Sequence, residues 1–456
     1  MESTADADHE AEEHQMRIMP PAVATAVHVA TLARKAGRPI PPKVYAVLEA
    51  AANPWPAEWL LAPLPGDPIR VIELFAGPGG WSEGIATVLG VKVDSVGVDL
   101  SKDACATARA AGHRRICVDI TTLDPEHIAL RYVRGLIVSP PCPSFSPAGK
   151  HSGQEQANIF TLCRVLAQCS EAGGFLPGNE LDDWCEGCAT CDELGYHDGY
   201  APRSGLSWDD LRAQLAPLTD ARIGLMAEVL FWGFGLQAAG APLEFIAMEQ
   251  SARLPEQILD DIRLELRGGQ GEGEWAATTY KILEASEFGL ASRRERVFFL
   301  ATRRYVSLPT PSPEIRTTTM AQALGWAEGE RINTRGVRPI DPKTGRPKGG
   351  NEFSADKPSN CLTGKARTWK RVSDGQRLTV QEAGILVGFL PSYLWHGSRT
   401  SIFQQEADVV PPIMAAAVLS EVLGVPWKPR VFDYEEQLYR LNDYLDLDAD
   451  DFDTIA

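Results

Sequence analysis

From Ile69 onward, short apolar runs alternate with segments of helical periodicity, and this alternation limits the possible folds more than any other feature. Such alternation is typical of βα units, whose strands lie side by side in one sheet. We therefore predict an α/β fold. Strands are expected over 71–75, 93–98, 116–118, 136–139 and 243–248, a hairpin-like pair over 280–287 and 297–302, and helices over 22–35, 81–89, 102–111, 220–236 (strongly amphipathic) and 407–423.

The first predicted strand runs into a glycine-rich turn, Phe75-Ala76-Gly77-Pro78-Gly79-Gly80. Glycines allow a backbone to approach a ligand closely, and the following helix offers its N-terminus. Asp99 ends the second strand about 20 residues further on, the spacing at which an acid reaches ribose hydroxyls in dinucleotide folds. Asp119 ends the third strand and could accept a hydrogen bond from an adenine amino group. A glycine-rich turn alone is often only a tight turn, but with these acids it predicts a nucleotide-like cofactor.

The segment Pro140-Pro141-Cys142-Pro143 places a lone cysteine just after the fourth predicted strand. Ligands bind at the carboxyl ends of strands in open α/β sheets, and prolines can fix a thiol so that it points into the cleft. A free cysteine is more often a small buried hydrophobe. We predict that Cys142 is a nucleophile because prolines flank it and a strand precedes it. Five other cysteines are predicted to be small buried hydrophobes, namely Cys105, Cys117, Cys163, Cys169 and Cys361.

Charged residues border the later strands. Glu249 ends the strand over 243–248 and is expected at the same sheet edge as Cys142, although a lone acid after a strand is most often a helix cap. Strand alternation puts Arg294 and Arg296 on one face. Two guanidinium groups on one face suit a carbonyl oxygen, a phosphate or the Glu249 carboxylate, the alternative being a surface charge ladder.

A separate cluster combines three thiols with an imidazole. Tetrahedral zinc sites use these ligands, but the spacing is too tight for a standard finger, and reduced loop cysteines are the favoured alternative. The cluster consists of Cys185, Cys188, Cys191 and His197.

The 456-residue chain has a net charge of −17, which at first argues against a nucleic-acid partner. Its distribution reverses that conclusion, because twelve Lys and Arg but only four Asp and Glu lie between 331 and 377. This basic segment is typical of a phosphate-contacting surface, the alternative being a solvated loop. No run is long enough to span a bilayer, and we recognise no signal peptide or disulfide framework, so we expect a cytoplasmic protein.

The composition divides the chain into five predicted parts. They are an N-terminal extension (1–68), an α/β domain (69–302) with a polar, Gly-rich insertion (151–217), a loop-rich second domain (303–403), a closing helix (404–430) and an acidic tail (431–456).

The motifs resemble, in order, those of DNA (cytosine-5)-methyltransferases, over roughly residues 69 to 425. The segment 73–80 is similar to the family's Asp-Leu-Phe-Ala-Gly-x-Gly-Gly loop, and Cys142 to its Pro-Cys nucleophile. Glu249 matches the Glu of its Glu-Asn-Val motif, and Arg294 and Arg296 match its Gln-x-Arg-x-Arg motif. The segments 377–382 and 409–412 resemble its Arg-x-Leu-Thr-x-x-Glu and closing motifs, with the basic segment where the family keeps its target-recognition region.

The resemblance implies a Rossmann-like, S-adenosylmethionine-dependent methyltransferase domain with a small target-recognition domain. It implies that Cys142 adds to C6 of a flipped-out cytosine in duplex DNA, with protonated Glu249 at N3 and Arg294 near O2. The expected enzyme is a monomer from a bacterium or phage-infected host, similar to actinobacterial and actinophage members. The existence of a cognate restriction endonuclease as its partner is left open. The resemblance assigns catalytic roles to Cys142, Glu249, Arg294 and Arg296, and cofactor contacts to Phe75, Ala76, Gly77, Gly79, Gly80, Asp99, Leu100, Asp119, Ile120 and Pro140.

Four positions depart from the family pattern: Pro143 and Ser292 each replace Gln, Gln250-Ser251 replaces Asn-Val, and Ala407-Asp408 replaces Gly-Asn. The change at Gln250-Ser251 bears on the hydrogen bonds that orient the Pro-Cys loop, and the change at Ala407-Asp408 bears on cofactor binding. Two alternatives remain open, an RNA cytosine-5 methyltransferase that accepts transfer RNA and a non-catalytic module that binds cofactor or DNA.

Overall fold

The computed structural model describes residues 19–145, 152–173, 205–268, 275–334, 340–345 and 352–439. Its main sheet has seven strands in the order β3-β2-β1-β4-β5-β7-β6. Strands β1 to β5 pair in parallel, while β7 runs antiparallel to both of its neighbours. The predicted α/β, Rossmann-like fold is confirmed. The strands are β1 Arg70–Leu74, β2 Asp94–Asp99, β3 Arg115–Cys117, β4 Val133–Val138, β5 Phe245–Ser251, β6 Ala277–Glu284 and β7 Glu295–Thr302.

Helices cover both faces of this sheet and continue to the end of the described chain, with α3 extended by the π-helical turn Gly84–Val88. The helices are α1 Pro21–Lys35, α2 Pro42–Ala52, α3 Gly80–Glu83, α4 Lys102–Ala110, α5 Gln156–Leu166, α6 Cys169–Ala172, α7 Trp208–Ala213, α8 Ala221–Gly224, α9 Glu228–Ala238, α10 Glu256–Leu266, α11 Met320–Ala323, α12 Val380–Leu386, α13 Arg399–Asp408, α14 Pro412–Leu423 and α15 Trp427–Leu438.

Two helix predictions were wrong in detail. The segment 220–236 is α8, a 3-10 turn and α9 rather than one amphipathic helix, and every residue from 228 to 237 is buried. The single acid within α9, Glu228, is buried because Arg212 forms an ion pair with it at 2.8 Å. The segment 407–423 is interrupted because Pro411 has no N–H to donate, and the backbone is extended at Val409 and Pro411.

The described flanks of the predicted insertion contribute to the core. Helix α5 buries Ile159, Leu162 and Leu166, and Trp208 of α7 packs against Phe231 of α9 with ring centroids 5.6 Å apart. The composition predicted a polar segment over 151–217, but its described flanks bury apolar side chains in the core. Its central cysteines and His197 lie outside the described residues, as do residues 440–456 of the predicted acidic tail.

The segment 303–403 contains a three-stranded antiparallel sheet, β8 Arg331–Asn333, β9 Glu352–Ser354 and β10 Lys370–Arg371. Its Ile332 and Trp369 belong to the same hydrophobic cluster as Trp81 and much of α14. Helix α14 packs so closely on the chain after β1 that a Cβ at Gly84 would lie 2.6 Å from Ala415. This packing brings the break before α14 next to the glycine-rich turn. No described helix has the length and apolarity to cross a membrane.

Candidate active site

The parallel strands bring most of the predicted site residues to one edge of the sheet. The glycine-rich turn follows β1, Asp99 ends β2, and Asp119 lies two residues beyond β3. Because Val138, the last residue of β4, pairs with Met248, Glu249 lies one step beyond the end of β4. Glu249 does not end its strand as predicted, since β5 continues to Ser251.

Asp99 closes the glycine-rich turn. Its Oδ2 accepts a hydrogen bond from the N–H of Gly77 at 2.8 Å, and its Oδ1 accepts one from the N–H of Ser101 at 2.7 Å. Burial raises the pKa of Asp99, and these two hydrogen bonds oppose the rise. The turn begins with an unusual left-handed backbone conformation at Phe75, whose φ is 54°. The acid at the end of β2 therefore also shapes the backbone that would meet the cofactor.

Two glycines of this turn are required for different reasons. Gly79 has a φ of +113°, a conformation that other residues rarely adopt. A Cβ at Gly80 would lie 1.9 Å from the carbonyl oxygen of Val410. Gly80 thus permits the close approach of the closing segment, which is a packing reason for a residue assigned to cofactor contact.

The opening beside Asp99 suits an adenosine group. Leu100 leaves 70% of its surface exposed there, which is unusual for an apolar side chain and offers a face for a base. The exposed Asp119 accepts hydrogen bonds from the N–H and hydroxyl of Thr121 and keeps Oδ2 available, while Ile120 is buried beneath it. Hydroxyl and amino donors of a nucleoside would match the two carboxylates, so the residues present fit the cofactor that the resemblance implies.

Cys142 lies in a tight turn whose backbone is held by its neighbours. The N–H of Phe145 donates to the carbonyl oxygen of Cys142 at 3.0 Å, and Nε2 of Gln250 donates to the carbonyl oxygen of Pro140 at 3.0 Å. Gln250 also accepts from the N–H of Ser251 through its Oε1 at 2.8 Å, which fixes its amide. The departure from Asn-Val therefore keeps a hydrogen bond to the Pro-Cys loop.

Burial raises the pKa of the Cys142 thiol to about 11, and Arg296 opposes the rise. Below that pKa the reactive thiolate fraction grows about tenfold with each pH unit. We therefore expect the alkylation rate of Cys142 in the unliganded protein to rise continuously between neutral pH and about pH 10. Iodoacetamide labelling followed by peptide mass spectrometry measures this rate at the single residue, and a plateau below pH 9 would contradict the buried environment.

Glu249 and Arg296 form an ion pair beside the cysteine. The Nε of Arg296 lies 2.9 Å from Oε1 of Glu249, and the two side chains are 14% and 6% exposed. Arg296 is paired with Ser251 across the antiparallel strands β5 and β7, so it reaches Glu249 diagonally. Burial raises the pKa of Glu249, whereas Arg296 and Arg294 lower it. A carboxyl with a raised pKa can hold a proton for donation near neutral pH.

Arg294 has a different task from the one predicted for it. Its Nη1 donates to the carbonyl oxygen of Ala407 at 2.6 Å, and its Nη2 donates to that of Val409 at 2.7 Å. The side chain is almost fully buried, and burial lowers its pKa. Arg294 therefore clamps the chain on both sides of Asp408, whereas Arg296 contacts Glu249.

Asp408 was noted only as a departure, and the structure places it at the site. It is exposed in the cleft, where Nε2 of Gln404 donates to its Oδ2 at 2.6 Å. The surrounding protein raises the pKa of Asp408, which also feels the charges of Arg294, Arg296 and Asp99. Its own charge in turn acts on Cys142 and Glu249. Asp408 thus lies within electrostatic reach of Cys142, Glu249 and Asp99.

The proposed zinc ligands lie outside the described residues, so their arrangement stays a prediction. Among the residues that the structure does describe, no group of three or more His, Cys, Asp or Glu side chains could hold a metal ion.

An α/β sheet with a glycine-rich turn, two strand-end acids and a framed cysteine defines a methyltransferase-like site. Residues 69–168 match the family model for C-5 cytosine-specific DNA methylases. The chain is 25% identical over 392 residues to Type II methyltransferase M1.HphI of Haemophilus parahaemolyticus, covering 78% of this chain and 87% of the relative. Both matches support a DNA (cytosine-5)-methyltransferase: residues 69–168 match the model of the methylase domain, and the similarity to the Type II methyltransferase extends over most of the chain.

Solved structures with a similar chain path include two methyltransferases. One is a DNA modification methyltransferase encoded within an E. coli prophage, with 16% identity, a TM-score of 0.47 and coverage of 78% of this chain and 99% of that one. The other is the S. pombe Dnmt2 methyltransferase, with 14% identity, a TM-score of 0.47 and coverage of 78% and 98%.

Proposed function

We propose that the protein transfers a methyl group from S-adenosylmethionine to C5 of cytosine in duplex DNA, through a covalent bond between Cys142 and C6 of a flipped-out base. One observation carries the proposal. The Cys142 turn and the Glu249–Arg296 ion pair lie at the same sheet edge as the Gly77–Asp99 turn, which suits a base and a methyl donor side by side.

The chain's own residues divide the chemistry between them. Cytosine C5 is a poor nucleophile, so addition of the Cys142 thiolate at C6 makes it enamine-like. Burial raises the pKa of Glu249 and so favours the protonated carboxyl, which would donate to N3 and quench the negative charge that develops on the ring. Arg296 holds the Glu249 carboxyl in place and offers its guanidinium to the O2 carbonyl. Once C5 carries the methyl group, a base removes the C5 proton, and the electron pair of that C–H bond restores the C5–C6 double bond and expels the Cys142 thiolate.

S-adenosylmethionine would supply the methyl group. Asp99 and Asp119 would hold the ribose hydroxyls and the adenine amino group, with Leu100 against the base and residues 75–80 along the methionine moiety. The cofactor carries two positive groups, a sulfonium and an ammonium, and Asp408 is the acid on the other side of the cleft.

Asp408 is expected to favour the charged cofactor. Replacing Asp408 with asparagine removes one negative charge, so S-adenosylmethionine, which has the extra sulfonium charge, should lose about three- to tenfold in affinity while S-adenosylhomocysteine loses less. Isothermal titration of both ligands measures the ratio of their Kd values. An unchanged ratio would show that Asp408 does not face the sulfonium, whatever the effect on either affinity alone.

Duplex DNA would lie against the basic segment. Five of its basic residues are exposed and form no ion pair within the described ranges, which leaves their charges available to DNA phosphates. Flipping the target base costs a few kcal/mol, and phosphate contacts offset that cost. The five residues are Lys343, Lys357, Lys365, Lys370 and Arg377.

The name of the relative M1.HphI includes "Type II methyltransferase", and a role in restriction–modification is the corresponding proposal for this chain. A cognate endonuclease, a monomeric state and a cytoplasmic location belong to the same proposal.

The test is transfer of labelled methyl groups from S-adenosylmethionine to unmethylated duplex DNA, with transfer RNA as the competing substrate. We expect 5-methylcytosine in the DNA after nuclease digestion and mass spectrometry. Label in the RNA alone would favour the RNA methyltransferase, and cofactor binding without transfer to either polymer would favour the non-catalytic module.

A further inference from the structure

Asp220 forms hydrogen bonds with Ser144 and Ser152, both of which follow Cys142 in the chain. Oδ2 of Asp220 accepts hydrogen bonds from Oγ of Ser144 at 2.6 Å and from Oγ of Ser152 at 3.4 Å. The N–H of Gly153 also donates to the carbonyl oxygen of Ser144 at 3.0 Å. Asp220 therefore fixes the turn that contains Cys142, two residues before Ser144.

The same carboxylate holds a guanidinium group in place. Arg222 donates to Oδ1 of Asp220 through Nε at 2.9 Å and to Oδ2 through Nη2 at 2.6 Å. These bonds are the main reason that the pKa of Asp220 lies well below its usual range. They also raise the pKa of Arg222, and the thiolate form of Cys142 would raise it further, so the guanidinium lies within electrostatic reach of the nucleophile.

Arg222 remains accessible despite this ion pair. Its side chain is 46% exposed, against 15% for Asp220, and its Nη1 forms no hydrogen bond with the described residues. A guanidinium whose Nε edge is occupied by a carboxylate presents its remaining N–H groups in a fixed direction. Because Asp220 holds the guanidinium in place, Arg222 offers a positioned hydrogen-bond donor together with its positive charge.

A hydrogen-bond donor of this kind beside the nucleophile suits a phosphate of the DNA backbone. A base that leaves the duplex carries its own backbone with it, and the phosphates beside it must be held while the ring enters the pocket. Arginine binds phosphate oxygens in a directed geometry, and it loses less freedom on binding when it is held in advance.

We propose that Arg222, held by Asp220, binds a DNA backbone phosphate next to the extruded cytosine and so couples the grip on the strand to the position of Cys142. The inference rests on the proposed action on duplex DNA. Asp220 and Arg222 are positioning and binding residues, which take no part in bond making.

The test compares Arg222→Met with Arg263→Met in the full-length chain. Arg263 is a matched control, because it is 37% exposed and paired with Asp260 at 2.9 Å on α10. The affinity for unmethylated duplex DNA is measured by fluorescence anisotropy over a series of salt concentrations. Loss of one phosphate contact should reduce the slope of log K against log salt by about one and weaken binding about tenfold at low salt, with the Arg263 variant unchanged.

A conservative variant separates binding from folding. Arg222→Lys should recover part of the slope because its ammonium can still reach a phosphate, whereas an amide in Arg222→Gln should not. If Arg222→Met unfolds, the Lys and Gln pair carries the comparison. Wild-type slope and affinity in the Met or Gln variant would overturn the inference, while a wild-type protein that binds no duplex DNA would overturn the proposed function with it.

Discussion

Cys142→Ser is expected to lower the rate of methyl transfer to duplex DNA by at least about 10³-fold while leaving the fold intact. A serine hydroxyl is far less acidic than a thiol and far less nucleophilic toward a ring carbon, so the enamine-like intermediate would not form. The turn should survive, because its hydrogen bonds involve the carbonyl oxygens of Pro140 and Cys142 rather than the sulfur atom. Cofactor affinity should therefore change little.

The measurement is the single-turnover transfer of labelled methyl groups, with the thermal unfolding midpoint recorded in parallel. Cys117→Ser is the matched control, since Cys117 lies at the end of β3 on the same sheet edge and is only half-buried. That variant should retain wild-type transfer. If Cys142→Ser keeps a tenth or more of the wild-type rate, Cys142 is not the nucleophile.

Arg294→Met is expected to destabilise the protein by about 2–5 kcal/mol. The change would leave the carbonyl oxygens of Ala407 and Val409 without their guanidinium donors inside the protein, and each such loss costs about 1–3 kcal/mol. The effect should extend to function, because these carbonyls flank Asp408 and the segment that touches Gly80. We expect weaker S-adenosylhomocysteine binding as well as lower stability.

Urea denaturation and cofactor titration of the same preparations measure both effects. Arg293→Met supplies the comparison, because the exposed Arg293 side chain donates to Oδ1 of Asn360 at 2.6 Å. Its replacement should lower the free energy of unfolding by less than about 1 kcal/mol. Equal stability of the two variants would show that the clamp on Ala407 and Val409 contributes nothing.

The strands could be predicted from the sequence because buried parallel strands leave continuous apolar runs. The predicted strands over 136–139 and 243–248 overlap β4 and β5, with ends that differ by one to three residues. Helix α9 was misjudged for a related reason. Its residues are apolar on all sides, and only the distant partner Arg212 explains how Glu228 can be buried among them.

The site was predictable as a set of residues but not as a set of contacts. The order of the motifs predicted that Cys142 and Glu249 lie at one sheet edge. It could not predict that both terminal nitrogens of Arg294 donate to carbonyl oxygens 113 and 115 residues away. Nor could it show that Gln250 reaches Pro140, or that Asp220 holds the Cys142 turn. Such contacts depend on long-range packing, which local patterns do not encode.

The most direct test of the central claim uses duplex DNA with 5-fluorocytosine at the methylation site. A base can remove hydrogen from C5 as a proton but cannot remove fluorine in this way. Elimination is therefore blocked, and the bond between Cys142 and C6 should persist after methyl transfer. We predict a denaturation-resistant protein–DNA complex that requires S-adenosylmethionine, with peptide mass spectrometry placing the nucleotide on Cys142. A methylated product without any such complex, or a complex through another residue, would contradict the account.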